Sequence, residues 1–198
     1  MEKSENKNRH FIIHKPYGFL SQFKSHDSKQ QSKKFLGELF DFPMGTMSIG
    51  RLDEKSEGLL LLTTDGKVSD FVNSRKVEKE YYAQVDGNIS AKEIEELQKG
   101  VEIGINGKTY LTKPCKAFKL DKAPDFPLRS KKIRDDRHGP TTWVSITLNE
   151  GKFRQVRKMT SAVGYPTLRL VRVRVAHIHL GKMLSGDVVE VSQFFLNF

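Results

Sequence analysis

The sequence predicts an α+β domain carried by a mixed, mostly antiparallel sheet with short helices, and three observations predict it. Strand candidates are numerous and short, hairpin-type turns such as Asn106-Gly107 join them, and the regular strand-helix-strand alternation of a parallel sheet is missing. The 198 residues suffice for one domain, or for two lobes around one cleft. Residues 1–8 read as a flexible polar tail and residues 9–198 as the folded domain.

Each element has its own local reason. Residues 10–14 (HFIIH) form a strand closed by the turn Lys15-Pro16-Tyr17-Gly18, and polar residues 19–32 form a loop. In residues 33–40, Phe35, Leu36, Leu39 and Phe40 recur at helical spacing, with Pro43 beyond. A polar turn between Gly50 and Gly58 leads into the apolar run 59–62, which predicts a buried strand. Thr64-Asp65-Gly66 then turns into a short helix carrying Val68, Phe71 and Val72, and EKEYYAQVDG alternates as a strand. SAKEIEELQKG is a helix with Ser90 as N-cap, Glu93 completing a capping box and Gly100 ending it. Strands follow at 101–103, 108–120 and 143–148, with a long basic loop at 121–141. Asn149-Glu150-Gly151 opens a helix whose Phe153, Val156, Met159, Thr160 and Val163 face inward, with Arg154, Arg157 and Lys158 outward. TLRLVRVRVAHIHL alternates to the end as a strand.

Composition narrows the function. Hydrophobic residues make up 37% and charged residues 29%, so the chain folds rather than staying disordered. No apolar run reaches the length of a membrane span, and the polar start lacks a signal peptide's apolar core, which predicts a cytoplasmic protein. The single cysteine, Cys115, reads as a small buried hydrophobe, since neither an intrachain disulfide nor a zinc site can be built on it. The net charge is +10, and residues 129–182 carry all of the excess: thirteen Lys and Arg against Asp135, Asp136 and Glu150. One basic segment in a folded domain suggests a polyanionic partner or, more simply, a solvated basic surface.

The segment Gly50-Arg51-Leu52-Asp53, with Ser56-Glu57-Gly58, the leucine run, Thr63 and Asp65-Gly66, places a carboxylate on a turn backed by a buried strand. That support preorganises a reactive group as a loop cannot. An isolated Arg-Leu-Asp triplet would usually be an ordinary turn. The whole segment, however, closely resembles the catalytic motif of pseudouridine synthases of the RsuA type. HFIIHKPYGFL is similar to that family's opening strand, EKEY to its Lys-x-Tyr element, and EGKFRQVRKMTSAVGYPTLRLVR to its C-terminal motif. Ile133-Arg134, Pro140-Thr141-Thr142-Trp143 and the residues from Gly164 to Leu170 most resemble members acting on the large ribosomal subunit. Ala176 departs from the pattern, standing where the family usually has glycine. The chain leaves no room for the S4 RNA-binding domain that most relatives carry upstream.

The resemblance implies a fold with a central RNA-binding cleft and an enzyme that isomerises one uridine of ribosomal RNA, in the 23S RNA of the large subunit, to pseudouridine. Asp53 attacks or deprotonates the ribose while the N1–C1′ bond breaks and the uracil rotates to re-bond through C5. Arg157 is the implied partner of Asp53, and Tyr81 stacks on the extruded base and assists at C5. Tyr82, on the opposite strand face, reads as a core aromatic. Arg51 fills the vacated stack, unless it pairs with Asp65; base extrusion costs a few kcal/mol. Lys15, Lys79, Arg154, Lys158, Lys131, Lys132 and Arg134 are expected at the RNA, though strand-end lysines are often merely solvated. Leu180 packs behind the uracil site. No cofactor is expected, no membrane partner, no metal at His177 and His179, and the protein is expected to act as a monomer on RNA or on an assembling subunit. Two other classes compete: a non-catalytic RNA-binding or ribosome-assembly module, for which Asp53 has no purpose, and a glycosidase, which needs a second carboxylate that Glu54 and Glu57 are too local to supply.

Overall fold

A computed structural model describes residues 8–30, 32–74, 77–134 and 136–194. Of the tail expected over 1–8, only Asn8 lies within them. Strand β1 (His10–Lys15) is followed by β2 (Phe19–Leu20) and β3 (Lys34–Phe35), which pair with each other, then by β4 (Met47–Ile49) and β5 (Glu57–Thr63). Helix α1 (Gly66–Ser74) leads to β6 (Lys79–Asp86), and α2 (Ala91–Lys99) to the hairpin of β7 (Glu102–Ile105) and β8 (Lys108–Leu111). Strands β9 (Lys116–Lys119) and β10 (Thr141–Leu148) precede α3 (Gln155–Ala162), after which come β11 (Thr167–Val175), β12 (Ile178–His179) and β13 (Val188–Val191). Among the described residues, no helix is long and apolar enough to cross a membrane.

One nine-stranded sheet runs in the order β13-β1-β5-β11-β6-β10-β9, with β4 also on β5 and β12 on β11. Within it only β5 and β11 are parallel, so the sheet is mixed and mostly antiparallel, as the sequence predicts. Strand β5 is buried along its whole length because alternate side chains enter different cores. Leu59 and Leu61 pack with Ile49, Val72 and Val171, while Leu60 and Leu62 pack with Phe11, Ile13 and Leu36.

One edge of β5 pairs with β1; the other is shared. Its first residues, Glu57 and Gly58, pair with Val171 and Arg172 of β11, and its last, 61–63, pair with β4. The β5–β11 pairing is the seam of the sheet. At Gly58 the backbone has a φ of 106°, and a Cβ would sit 2.3 Å from the Arg172 carbonyl oxygen and 2.7 Å from its nitrogen. Only glycine allows that approach.

Several elements differ from the sequence reading. Residues 33–40 do not form a helix: Lys34–Phe35 is a strand, and only Leu36–Glu38 makes a 3₁₀ turn. The segment is too short to pay for helix nucleation. Its aromatic neighbours decide instead, with Phe11, Phe23, Phe40 and Phe42 in mutual edge and tilted ring contacts over buried Leu36. The strand expected at 108–120 breaks into β8 and β9 around Pro114, which cannot donate to a ladder. Phe153 precedes α3 and is 64% exposed rather than buried. Strand β11 does not alternate strictly, because register shifts fall between Thr167 and Arg169 and between Arg172 and Arg174.

Ala176 is not in a strand either. It is the first residue of the two-residue loop joining β11 to β12, with a φ of 51°. Glycine is the residue that reaches this left-handed region without strain, as at the first loop position of type II′ hairpins. Ala176→Gly should therefore raise the thermal midpoint, by relief on the order of 1 kcal/mol. Gly58→Ala, by contrast, should lower it steeply or prevent folding. A scan of both variants by circular dichroism checks the pair; equal midpoints for Gly58→Ala and the parent chain would contradict the account of the seam.

Candidate active site

Residues 50–56 link β4 to β5 and lie where the shared edge of β5 divides between β4 and β11. The turn is clamped on both sides of Asp53. Leu52 is buried, its amide donates to Ser21 Oγ at 2.9 Å, and its carbonyl accepts from the same hydroxyl at 2.8 Å. Ser56 N donates to the Asp53 carbonyl at 2.9 Å, and Gly18 N to the Glu54 carbonyl at 2.8 Å. Asp53 is thus a half-buried carboxylate on a fixed turn, at the wall of a cleft of about 760 Å³.

The cleft gathers residues from across the seam. Lys79 and Tyr81 come from β6, Leu148 from the end of β10, Leu170 and Arg172 from β11, and Arg154 and Arg157 from the start of α3. Among the described residues three carboxylates line it. Glu54 is paired with Lys33 at 2.7 Å, and Glu150 accepts from Tyr110 Oη (2.6 Å), Gln155 Nε2 (2.6 Å) and Lys113 N (3.0 Å). The Asp53 carboxylate has no hydrogen bond or ion pair among the described residues.

The expected pairing of Arg157 with Asp53 is not a direct contact. Arg157 donates to the Lys55 carbonyl at 2.7 Å and the Thr167 carbonyl at 3.1 Å, while its Nε is buried without a partner. Burial pushes its pKa down, and the charge of Asp53 opposes that shift. The helix is therefore tied to the backbone of the Asp53 turn, two residues beyond the carboxylate.

Lys15 is neither solvated nor at the surface. It is fully buried, and its ammonium donates to the carbonyls of Pro16 (2.8 Å) and Phe19 (2.7 Å), so phosphate contact is ruled out in this arrangement. Burial pushes its pKa down to about 7, against the attraction of Glu57, Asp53 and Glu54. Lys79 does reach the cleft; burial and then Arg172 bring it down to about 8. Arg51 lines the cleft and is exposed, and it does not pair with Asp65, whose carboxylate accepts from Lys67 N and Asn8 Nδ2. Tyr82, expected as a core aromatic, is instead half-buried against Phe126 and joins none of the core clusters, whereas Tyr81 packs against two of them. Leu180 is buried with Leu59, Val72 and Val175, but it does not line the cleft; Leu170 and Leu148 do. Cys115 packs against the core and donates to the Leu97 carbonyl at 3.1 Å.

The sequence reading missed Arg169 and Arg172, both buried. Arg169 meets buried Glu57 at 2.9 and 3.1 Å, and Arg172 Nε donates to the Leu59 carbonyl at 2.7 Å. Alternating arginines look like a solvated face, and the only hint otherwise was the acid Glu57 just before an apolar run. His177 and His179 are exposed, and no group of three metal-ligating side chains occurs among the described residues.

Residues 9–162 match the family model described as RNA pseudouridylate synthase. The chain belongs to that family. Ribosomal large subunit pseudouridine synthase E of Vibrio parahaemolyticus is 39% identical over 183 residues, covering 91% of this chain and 72% of the relative. The protein of the same name from Xanthomonas axonopodis is 41% identical over 166 residues, covering 83% and 84%. A crystal structure of a pseudouridylate synthase superposes with a TM-score of 0.71 at 25% identity, over 93% of this chain and 70% of that one. The chain is an RNA pseudouridine synthase of mixed-sheet α+β architecture.

For such an enzyme, the basic segment 129–182 matters by what remains exposed. Arg134 is paired with Asp86 and donates to the Gly139 carbonyl, and Arg174 is held by Glu78 and Glu80. Lys131 and Lys132 are exposed. Replacing both lysines by alanine should lower the slope of log affinity against log salt by up to about two, at roughly 0.7–0.9 per lost phosphate contact. Arg134→Ala should instead lower the thermal midpoint and leave the slope nearly unchanged. Filter-binding salt titrations separate the two outcomes.

Proposed function

We propose that this enzyme isomerises one uridine of ribosomal RNA, in the 23S RNA of the large subunit, to pseudouridine, with Asp53 acting on the ribose. One observation carries the residue assignment: of the three carboxylates lining the cleft, only Asp53 is left uncommitted among the described residues. The large-subunit names of the relatives support the substrate. A pure RNA-binding module has no use for an unpaired carboxylate facing phosphates. A glycosidase would need a second available carboxylate, yet Glu54 is held by Lys33, Glu57 by Arg169 and Glu150 by three donors.

The reaction rearranges one nucleotide. The uridine leaves its stack, and Arg51, exposed at the cleft, fills the space it vacates. Tyr81, Leu148 and Leu170 offer the uracil a flat and apolar wall. Asp53 acts on the ribose, the N1–C1′ bond breaks with its electrons passing to the uracil, and the rotated ring re-bonds from C5 to C1′. The C5 proton is then lost and N1 gains one, so the balance needs no oxidant. Tyr81 is the cleft phenol beside that proton transfer. Arg157, bonded to the Lys55 carbonyl, keeps the Asp53 turn in register with β11.

Asp53→Asn should cut tritium release from 5-tritiated uridine in unmodified ribosomal RNA by a factor on the order of 10³ or more. RNA affinity and the thermal midpoint should stay near those of the parent enzyme, because the clamps on the turn use backbone groups. Release at the parent rate by the variant would refute the assignment.

A further inference from the structure

We propose that Phe153 is a stacking platform for a nucleotide adjoining the extruded uridine, with Arg154 and Lys158 placed for the phosphates of that nucleotide. The inference rests on the cleft being the RNA-modifying site and adds a second RNA subsite beside it.

Single exposed aromatics are ordinary on protein surfaces, so the 64% exposure of Phe153 is not in itself informative. Its position is. Phe153, Arg154 and Arg157 line the catalytic cleft, and the same three line a second, open trough of about 570 Å³ on the other side of the start of α3. Phe153 therefore stands at the border of two cavities, where a nucleotide next to one held in the cleft could reach it. Among the described residues Glu102 is the only carboxylate of that trough, against Arg154, Arg157 and Lys158, so the surface carries an excess of positive charge.

The segment that presents the ring is rigid. Lys152 N donates to Gln155 Oε1 at 2.9 Å, Gln155 N donates back to the Lys152 carbonyl at 3.1 Å, and buried Gln155 donates to Glu150 at 2.6 Å. Arg154, directly after the ring, sits in the left-handed region with a φ of 54°. That conformation costs an arginine energy, and such strain persists where the surroundings impose it and tends to fall at ligand clamps. The Lys158 ammonium lies over the ring, 5.1 Å from its centroid, and also donates to the Gly104 carbonyl at 2.6 Å, which fixes a cation on one face of the aromatic and leaves stacking to the other. A fixed aromatic flanked by cations is how proteins hold an unstacked base without reading its identity.

The test uses the full chain and large-subunit ribosomal RNA from cells lacking this enzyme. Phe153→Ala should raise Kd and KM together by roughly tenfold to a hundredfold, the range that stacking of one base accounts for, with kcat falling far less. Phe153→Trp should bind as the parent does, and its added emission, above that of Trp143, should be quenched when RNA binds. An unchanged Kd for Phe153→Ala, or an unquenched tryptophan in a variant that binds RNA, would overturn the proposal. A loss confined to kcat would overturn it too, by moving Phe153 into the chemistry. Because binding and quenching need no turnover, Asp53 can fail as the reactive group while this subsite stands; absence of tritium release by the parent enzyme would remove both.

Discussion

The active site depends on the parallel contact between β5 and β11, a pairing of only two residue pairs. On one side of that seam stand β5 and the clamped turn bearing Asp53; on the other stand Tyr81, Leu170, Arg172 and the start of α3. The distance from the carboxylate to the opposite wall of the cleft is therefore set by how closely two backbones approach at Gly58. The same seam is sealed by Glu57 with Arg169, by Arg172 on the Leu59 carbonyl, and by Arg157 on the Lys55 carbonyl. Removing one partner of a buried pair of this kind costs about 3–5 kcal/mol, because the other charge is left in the interior. A scaffold this specific suits chemistry in which a small misplacement of the reacting group is expensive.

Charge serves two ends in this protein. Part of the excess in residues 129–182 is internal: Arg169 and Arg172 are buried in the seam, Arg157 braces the Asp53 turn, and Arg134 and Arg174 are matched by acids. What remains outward includes Lys131, Lys132, Lys152 and Arg154. Counting charge along the chain therefore overstates the positive charge left at the surface. Beneath the site, buried Lys15, its pKa brought down to about 7 by burial, feels the charges of Glu57 and Asp53 without meeting solvent.

Most of the architecture was legible where local chemistry and packing agree. The run 59–62 gave a central strand because both of its faces are covered, and Ser90, Glu93 and Gly100 bounded α2 as a capping box and terminating glycine should. Sequence patterns failed where tertiary contacts override periodicity: Leu36 and Phe40 follow helical spacing but pack with an aromatic cluster around a 3₁₀ turn, and Phe35 lies in β3. They failed again where a bulged strand turns apparently solvated arginines inward, as at Arg172. That Asp53, Tyr81 and Arg157 belong to one cleft was legible from the motif. That Arg157 holds a backbone carbonyl rather than the carboxylate was not, since a side chain's target across a seam leaves no trace in spacing.

The central claim is that this chain makes one pseudouridine in large-subunit ribosomal RNA. Mapping pseudouridine at nucleotide resolution, in cells lacking the gene and in the same cells supplied with it, tests that most directly. The account predicts that a single site in the 23S RNA disappears on deletion and returns with the gene. Persistence of every site, or a loss confined to the small-subunit RNA, would contradict it.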